Sequence, residues 1–384
     1  MIYLDSNATS AVAPEVLDAM LPFLRQSFHN PSSSYSAARE VKTAIEVARA
    51  QVAALINSRP ESLVFTSCGT ESLNAAIESA WQTCPDRRHL IISATEHSAV
   101  IEPARRWATR GGKVTFLQVD ADGLPDLEQL VAALKSTPTA LVSVMWANNE
   151  TGVLASIDKV TQLAHDHGAM MLTDAVQAVG KVSVDVQKTP VDFLALSGHK
   201  FHAPKGVGAL YVSPRVRFDP WMLGGGQESG KRSGTENVAG IVALGRAAEL
   251  ALSKPEVGEM RDAFEQNLVS HCPCAYVHGK GAPRLPGTSS ICFPGLVAAE
   301  MLILLDKLGL ACSAGSACHT ANVHPSHVLQ AMGVSADDAA STLRFSFCRY
   351  NTPHEAEEAA TLVIQAEQRL RALAEEAAGP VVFS

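Results

Sequence analysis

The 384-residue sequence predicts an α/β protein, in which a largely parallel sheet is covered by helices on both faces and followed by a smaller α+β module. Three observations lead there. The composition, 47% hydrophobic and 18% charged, is that of a globular chain long enough to bury a large core and divide into two domains. Between about residues 60 and 215, the short apolar runs SLVFTS, RHLIISA, KVTFLQV, TALVSVMWA, AMMLTDA, DFLALS and GALYVS recur, and helical patterns separate several of them. Strands alternating with helices are the pattern of parallel sheets buried on both sides. A glycine-rich break, MLGGGQESGKRSGTENVAG, then closes the region and gives way to weaker strand signals.

The opening residues precede the helix APEVLDAMLPFLRQ and are expected to cross back to the second module. The segment GLPDLEQLVAALKS is amphipathic at helical spacing, and so is SIDKVTQLAHDHG, which ends on a glycine suited to the position just past a helix. After the break, IVALGRAAELALS reads as a connecting helix, and AYVHG and SSICFPG read as strands. The stretch LVAAEMLILLDKLGLAC is interrupted by Glu300, Asp306 and Lys307, so a core helix leading into a strand is expected there and not a membrane span. A helix with Pro325 in its first turn and a final charged helix, HEAEEAATLVIQAEQRLRALAEEAA, complete the module. Residues 14–250 are the expected large domain, and residues 1–13 with 251–384 the small one.

A formal net charge of -8 argues against a general nucleic-acid or anionic-membrane surface, which needs excess Lys and Arg. The start, MIYLDSNATSAV, has neither a basic segment nor a long apolar core, so no signal or anchor is expected and the cytoplasm is the expected location. In that reducing setting the eight cysteines are expected to be free thiols unless they bind metal or do chemistry.

The chemistry is concentrated between TDAVQAVG, with Asp174 and Gln177, and LALSGHKFHAPKGVGALYV, with Lys200. A lysine that follows a strand is commonly a solvated charge, but the apolar run VDFLALS delivers Ser197, His199 and Lys200 together to a strand's carboxyl end, where open α/β sheets bind ligands. A carboxylate past one run and a lysine past the next is what a pyridoxal phosphate site requires: the amine holds the aldehyde and the carboxylate keeps the pyridine nitrogen protonated.

Other candidates fall on the same rim. Ser67, Cys68, Gly69 and Thr70 lie between the strand VFTS and the helix ESLNAAIESAW, where free backbone N–H groups can bind phosphate; the ordinary alternative is a plain helix start capped by Thr70. His97 in ATEHSAV follows a strand and suits acid–base work, or is a satisfied polar residue. Asn149 in WANNETG ends another strand and either contacts the cofactor or makes a turn. Farther on, Cys318 lies in a loop of small residues, where an exposed thiol can reach a substrate, while Cys312 is expected to be a buried small hydrophobe. Arg344 in STLRFSFCRYNT has the planar fork that suits a carboxylate, and Arg349 is expected at the surface. Cys312, Cys318, His319, His324 and His327 also permit a metal-binding reading, although their spacing matches no common zinc pattern.

Taken in order, YLDSNAT, NPSS, FTSCGTES, TEHSAV, ANNETG, TDAVQAVG, SGHKFHAPKGVGALY, GGGQE, RSGTEN, GSAC, PSHVLQAMG and RFSF resemble the cysteine desulfurases of the nitrogenase and iron–sulfur-cluster-assembly type, over nearly the whole chain. The resemblance implies a homodimeric fold-type I pyridoxal phosphate enzyme with a seven-stranded, mostly parallel sheet, which takes sulfur from L-cysteine and leaves L-alanine. It implies Lys200 as the Schiff-base lysine, Asp174 as partner of the pyridine nitrogen and His97 as the stacking acid–base group. Gln177 and Asn149 would contact the phenolic oxygen, and Gly69, Thr70, Ser197 and His199 the phosphate, joined by Thr235 of the other subunit. Cys318 would be the nucleophile that becomes a persulfide, and Arg344 the carboxylate anchor. The six residues HTANVH between Cys318 and Pro325 match a long-loop subgroup that hands sulfur to an acceptor protein such as an iron–sulfur scaffold.

The chain departs from the family pattern at Cys68, where glycine is usual, and at Tyr35, Ser229 and His319. The competing readings are a C–S lyase or an aminotransferase on the same scaffold, and a metal or sulfur carrier without turnover.

Overall fold

Each of the seven apolar runs becomes a strand of one sheet in the computed structural model, which describes residues 1–253, 256–314 and 326–378. In chain order the elements are β1 (Ile2–Tyr3), α1 (Pro14–Arg25), α2 (Ser36–Leu55), β2 (Leu63–Thr66), α3 (Gly69–Thr83), β3 (His89–Ser93), α4 (Ser98–Thr109), β4 (Lys113–Leu117), α5 (Leu127–Ser136), β5 (Thr139–Ser143), α6 (Ile157–Asp166), β6 (Met170–Asp174), β7 (Phe193–Ser197), β8 (Gly208–Val212) and α7 (Val238–Ala251). The sheet order is β2-β8-β7-β6-β5-β3-β4. Strand β8 runs against the direction shared by the other six.

Both faces of this sheet are apolar because both are covered, which is why its strands read as continuous hydrophobic runs. Successive residues serve opposite cores. Ile91, Leu194 and Leu196 pack toward α1, α2, α6 and α7, whereas Leu90, Ile92, Phe193 and Ala195 pack toward α3 and α4. Gly168, at a φ of 71°, ends α6 in the left-handed conformation that its sequence position predicts.

The remaining elements are α8 (Gly258–His271), β9 (Tyr276–Val277), β10 (Thr288–Cys292), α9 (Ala298–Lys307), β11 (Leu310–Ala311), β12 (Ser313–Ala314), α10 (His327–Ala331), α11 (Ala336–Ala340), β13 (Thr342–Ser346) and α12 (Pro353–Ala378). Strands β12-β13-β10-β9 form an antiparallel sheet whose core includes Phe264, Phe293, Phe345 and Met301. The chain's start joins this unit: β1 pairs with β11, and Leu4 N–H donates to Ala311 O at 2.8 Å.

Two local expectations are corrected. Cys312 lies between two short strands and not within one. Helix α10 begins at His327 and not at position 325, because the Ser326 hydroxyl caps it by accepting from Leu329 N–H at 3.1 Å. Pro325 itself lies outside the described residues. Among the described residues, no helix is long and apolar enough to cross a membrane.

Candidate active site

The carboxyl ends of the parallel strands open into a cleft of about 770 Å³ lined by Gly69, Thr70, His97, Asn149, Asp174, Gln177, Ser197, His199, Lys200 and Arg344. Residues from six separate segments thus meet as their sequence positions predict. Lys200 closes a single turn, Gly198–Lys200, directly after β7, and its Nζ donates to Asn7 O at 2.7 Å and Ala8 O at 2.8 Å. Asp174 ends β6, and its Oδ1 accepts from Val176 N–H at 2.9 Å. Burial pushes the Asp174 carboxyl above its ordinary range, against the opposing influence of that N–H, His97 and Lys200. His97 caps α4: its Nδ1 accepts from Ala99 N–H at 3.1 Å, which leaves the neutral ring with its proton on Nε2. Burial lowers the His97 pKa, so the neutral ring is favoured.

Gly69 and Thr70 are the first two residues of α3, where unpaired backbone N–H groups concentrate. Cys68, not Thr70, occupies the cap position and gives no side-chain cap; the carboxylate behind it, Glu71, instead accepts from Ser67 N–H at 2.7 Å. The departure from glycine at Cys68 is unstrained, since its φ of -173° is extended backbone open to any residue. Gly69 is the constrained position: a Cβ there would lie 2.6 Å from Val176 Cγ2, in the loop that follows Asp174. His199 meets Thr9 Oγ1 through Nδ1 at 3.1 Å, and burial together with the charges of Lys200, Lys205 and Lys181 holds its pKa down at about 4. Thr235 is exposed and does not line the cleft.

At the other end, Arg344 projects from β13 and is 3% exposed. Its Nη2 pairs with Asp5 at 2.7 Å and Nη1 donates to Asn149 O at 3.1 Å, while Nε is buried with no partner. Arg349 does not reach this cleft and donates to the carbonyls of Leu250 and Ser253. Burial pushes the Cys312 thiol up to about 12, which makes it unreactive. Cys318, His319 and His324 lie outside the described residues. Among the described residues, no three His, Cys, Asp or Glu side chains gather as a metal site.

Four cleft-side residues, Asn7, Lys181, Glu96 and Glu150, have no role that the sequence alone assigns. Asn7 receives Lys200 on its main-chain oxygen and Lys181 on its Oδ1, at 2.7 and 2.8 Å. Glu96 is fully buried; its Oε1 accepts from Met145 N–H at 2.5 Å and its Oε2 has no partner. Burial, reinforced by Asp174, raises its pKa well above the ordinary carboxylate value, which favours the protonated form. Glu150 accepts from the Ser326 hydroxyl at 2.5 Å, and burial raises its pKa to about 7. His327 donates from Nε2 to Glu96 O at 2.9 Å. Asn7 stands in YLDSNAT, Glu96 in TEHSAV and Glu150 in ANNETG, and membership of those motifs was the one available signal.

The donor set fits pyridoxal phosphate. Asp174 is a buried carboxylate short of positive charge, which a protonated ring nitrogen supplies. Backbone N–H groups at the close approach of Gly69 suit a phosphate, Lys200 supplies an amine, and the orphaned Nε of Arg344 suits a substrate carboxylate.

Residues 2–358 match the family model described as Aminotransferase class-V. A cysteine desulfurase of Trichormus azollae is 44% identical over 97% of this chain and 94% of its own length. Cysteine desulfurase NifS of Azotobacter vinelandii is 46% identical over 92% of this chain and 89% of its own. A solved structure described as a NifS-like protein superposes with a TM-score of 0.88 at 34% identity, covering 96% of this chain and 99% of that one. A seven-stranded sheet that gathers a lysine, a buried aspartate and an anion-ready helix end, with relatives of this likeness along nearly the full length, places the chain in the class-V aminotransferase family, among its NifS-type cysteine desulfurases.

Proposed function

We propose that the chain is a pyridoxal phosphate-dependent cysteine desulfurase that takes sulfur from L-cysteine, leaves L-alanine and carries the sulfur as a persulfide on Cys318. The observation that carries this reading is the convergence of Lys200, Asp174, His97 and Arg344 on one cleft. When bound, the cofactor supplies an electron sink for negative charge at the substrate's Cα.

The chain's own residues then divide the work. Lys200 holds the aldehyde carbon, and Asp174 keeps a proton on the ring nitrogen. The N–H groups of Gly69 and Thr70, with Ser197 and His199, hold the phosphate. His199 is neutral near pH 7 and engages Thr9 through Nδ1; with the Thr9 hydroxyl donating to Nδ1, the Nε2–H of His199 donates to the phosphate. Gln177 and Asn149 face the phenolic oxygen. Arg344 binds the cysteine carboxylate, with Asp5 and Asn149 O fixing the guanidinium plane. His97 delivers protons from Nε2. The Cys318 thiolate attacks the substrate sulfur: an S–S bond forms, the Cβ–S bond breaks with its electron pair left on carbon, and a proton added there completes alanine.

The same reading makes the enzyme a cytoplasmic homodimer, with Thr235 reaching the partner's phosphate site, a large domain at 14–250, and the segments 1–13 and 251–384 forming the unit that carries Cys318. The sulfur passes to an acceptor protein such as an iron–sulfur scaffold. The test is the product from L-cysteine and a reductant: alanine with sulfide, lost in Cys318→Ala, supports the reading, whereas pyruvate that persists in Cys318→Ala makes the enzyme a lyase.

A further inference from the structure

Lys181 is partly buried four residues past Gln177, and its Nζ donates to Gln177 Oε1 at 2.5 Å and to Asn7 Oδ1 at 2.8 Å. Each of these amides meets an atom on its far side that can only accept. Gln177 Nε2 donates to Asn7 O at 2.9 Å, and Asn7 Nδ2 donates to Asn149 O at 3.2 Å and to Thr288 Oγ1 at 2.9 Å. A main-chain oxygen demands the NH₂ end of an amide, so both amide oxygens must turn toward Lys181. The two orientations hold only while a donor stands between those oxygens. A buried amide oxygen left without one costs enough to favour rotation of the side chain.

The orientation of Gln177 bears on the cofactor, because Gln177 Nε2 and Lys200 Nζ converge on one atom, Asn7 O, at 2.9 and 2.7 Å. A hydrogen-bond donor is thereby held beside the amine that takes the aldehyde, and the phenolic oxygen is the aldehyde's neighbour on the ring. Turned over, Gln177 would present an oxygen to that oxygen. We propose that Lys181 is a positioning residue for the cofactor: by donating to Gln177 and Asn7 at once, it fixes the Gln177 amide with its N–H groups toward the phenolic oxygen. This rests on the reading of Gln177 given above. Burial, with the charges of Lys200 and Arg344, holds the Lys181 pKa well below the usual lysine range, and the neutral amine still has the two N–H bonds that these contacts use.

The test is a double-mutant cycle on the apoprotein, read as the Kd for pyridoxal phosphate and as the visible absorption maximum after loading. Gln177→Leu and Lys181→Met are each expected to weaken binding by roughly tenfold and to shift the band alike, and the double variant is expected to bind no worse than Gln177→Leu alone. If Gln177→Leu changes neither readout, the reading of Gln177 fails and the proposal with it. If Gln177→Leu changes both but Lys181→Met changes neither, or if the two effects add, Gln177 keeps its place and the role of Lys181 is overturned. Should Lys181→Met not fold, Lys181→Gln, which retains one donor, takes its place in the cycle, and the same outcomes support or overturn the role of Lys181.

Discussion

Two groups of buried carboxylates in this molecule are built in opposite ways. Glu228 receives Arg49 through both oxygens at 2.8 Å and Phe65 N–H at 2.8 Å, and the Arg49 guanidinium also lies 4.7 Å over the Phe65 ring. Each carboxylate oxygen is met, and the surroundings hold Glu228 in a left-handed backbone, φ 49°, that costs about 1 kcal/mol or more for a residue with a side chain. The cleft has no such closure. Asp174, Glu96 and Glu150 are each buried with too few donors or cations, and burial raises the pKa of each. A satisfied pair holds a turn in place, whereas a deficient set stores readiness for a ligand at the expense of stability.

The contrast predicts where damage will appear. In the cleft, Lys200→Ala is expected to lower turnover on the order of a thousandfold or more and to abolish the visible band of the bound cofactor, which absorbance and alanine assays would read. At the satisfied pair, Arg49→Met is expected to cost about 3–5 kcal/mol in urea unfolding, because Glu228 is left buried and uncompensated, while the folded fraction keeps its cofactor affinity. A loss of affinity without a loss of stability would erase the contrast.

Glu150 sharpens it through pH. The folded protein keeps the Glu150 proton to about pH 7, whereas the ordinary value is 4.5, so between those limits the folded state binds more protons and stability falls as pH rises. Glu150→Gln is expected to remove that slope. Its stability relative to the parent should improve by up to about 3 kcal/mol across the window, as read by unfolding at acid and alkaline pH. The smallest effect is expected at Glu96→Gln. Burial favours the protonated form of Glu96, so the amide should change stability by less than about 1 kcal/mol; a large loss would mean that Glu96 is ionised.

The sheet was legible because parallel strands buried on both faces must be apolar throughout, and every run from SLVFTS to GALYVS became a strand. Lys200, Asp174, His97 and Arg344 were legible for a related reason: each stands where a strand ends or within one, so local pattern sets its position. Lys181 was not. From sequence it is a lysine after a glycine, indistinguishable from a solvated charge, and one of its two contacts is with Asn7, 174 positions away. The alternative reading of Thr70 as the cap of α3 does not hold, because Cys68 has that position without a side-chain bond and Glu71 takes the Ser67 N–H. The start of α10 was expected at Pro325, but the hydroxyl of Ser326 decides it. Caps and buried polar contacts depend on which partner arrives, and a periodicity does not encode that.

The floor of the cleft joins the two ends of the chain: Asn7 N–H donates to Ser346 Oγ across 339 positions, and Asp5 pairs with Arg344. At roughly 5–20 residues per second, synthesis separates these partners by about 17–70 seconds. During that interval the sheet, with Lys200 and Asp174, can already fold, while the segment whose carbonyls receive the lysine still has no strand to rest against. The newborn enzyme therefore completes its cofactor pocket after nearly all of it has left the ribosome, and a chain that stops before β13 carries every part of the lysine–aspartate pair without the floor that holds them in place.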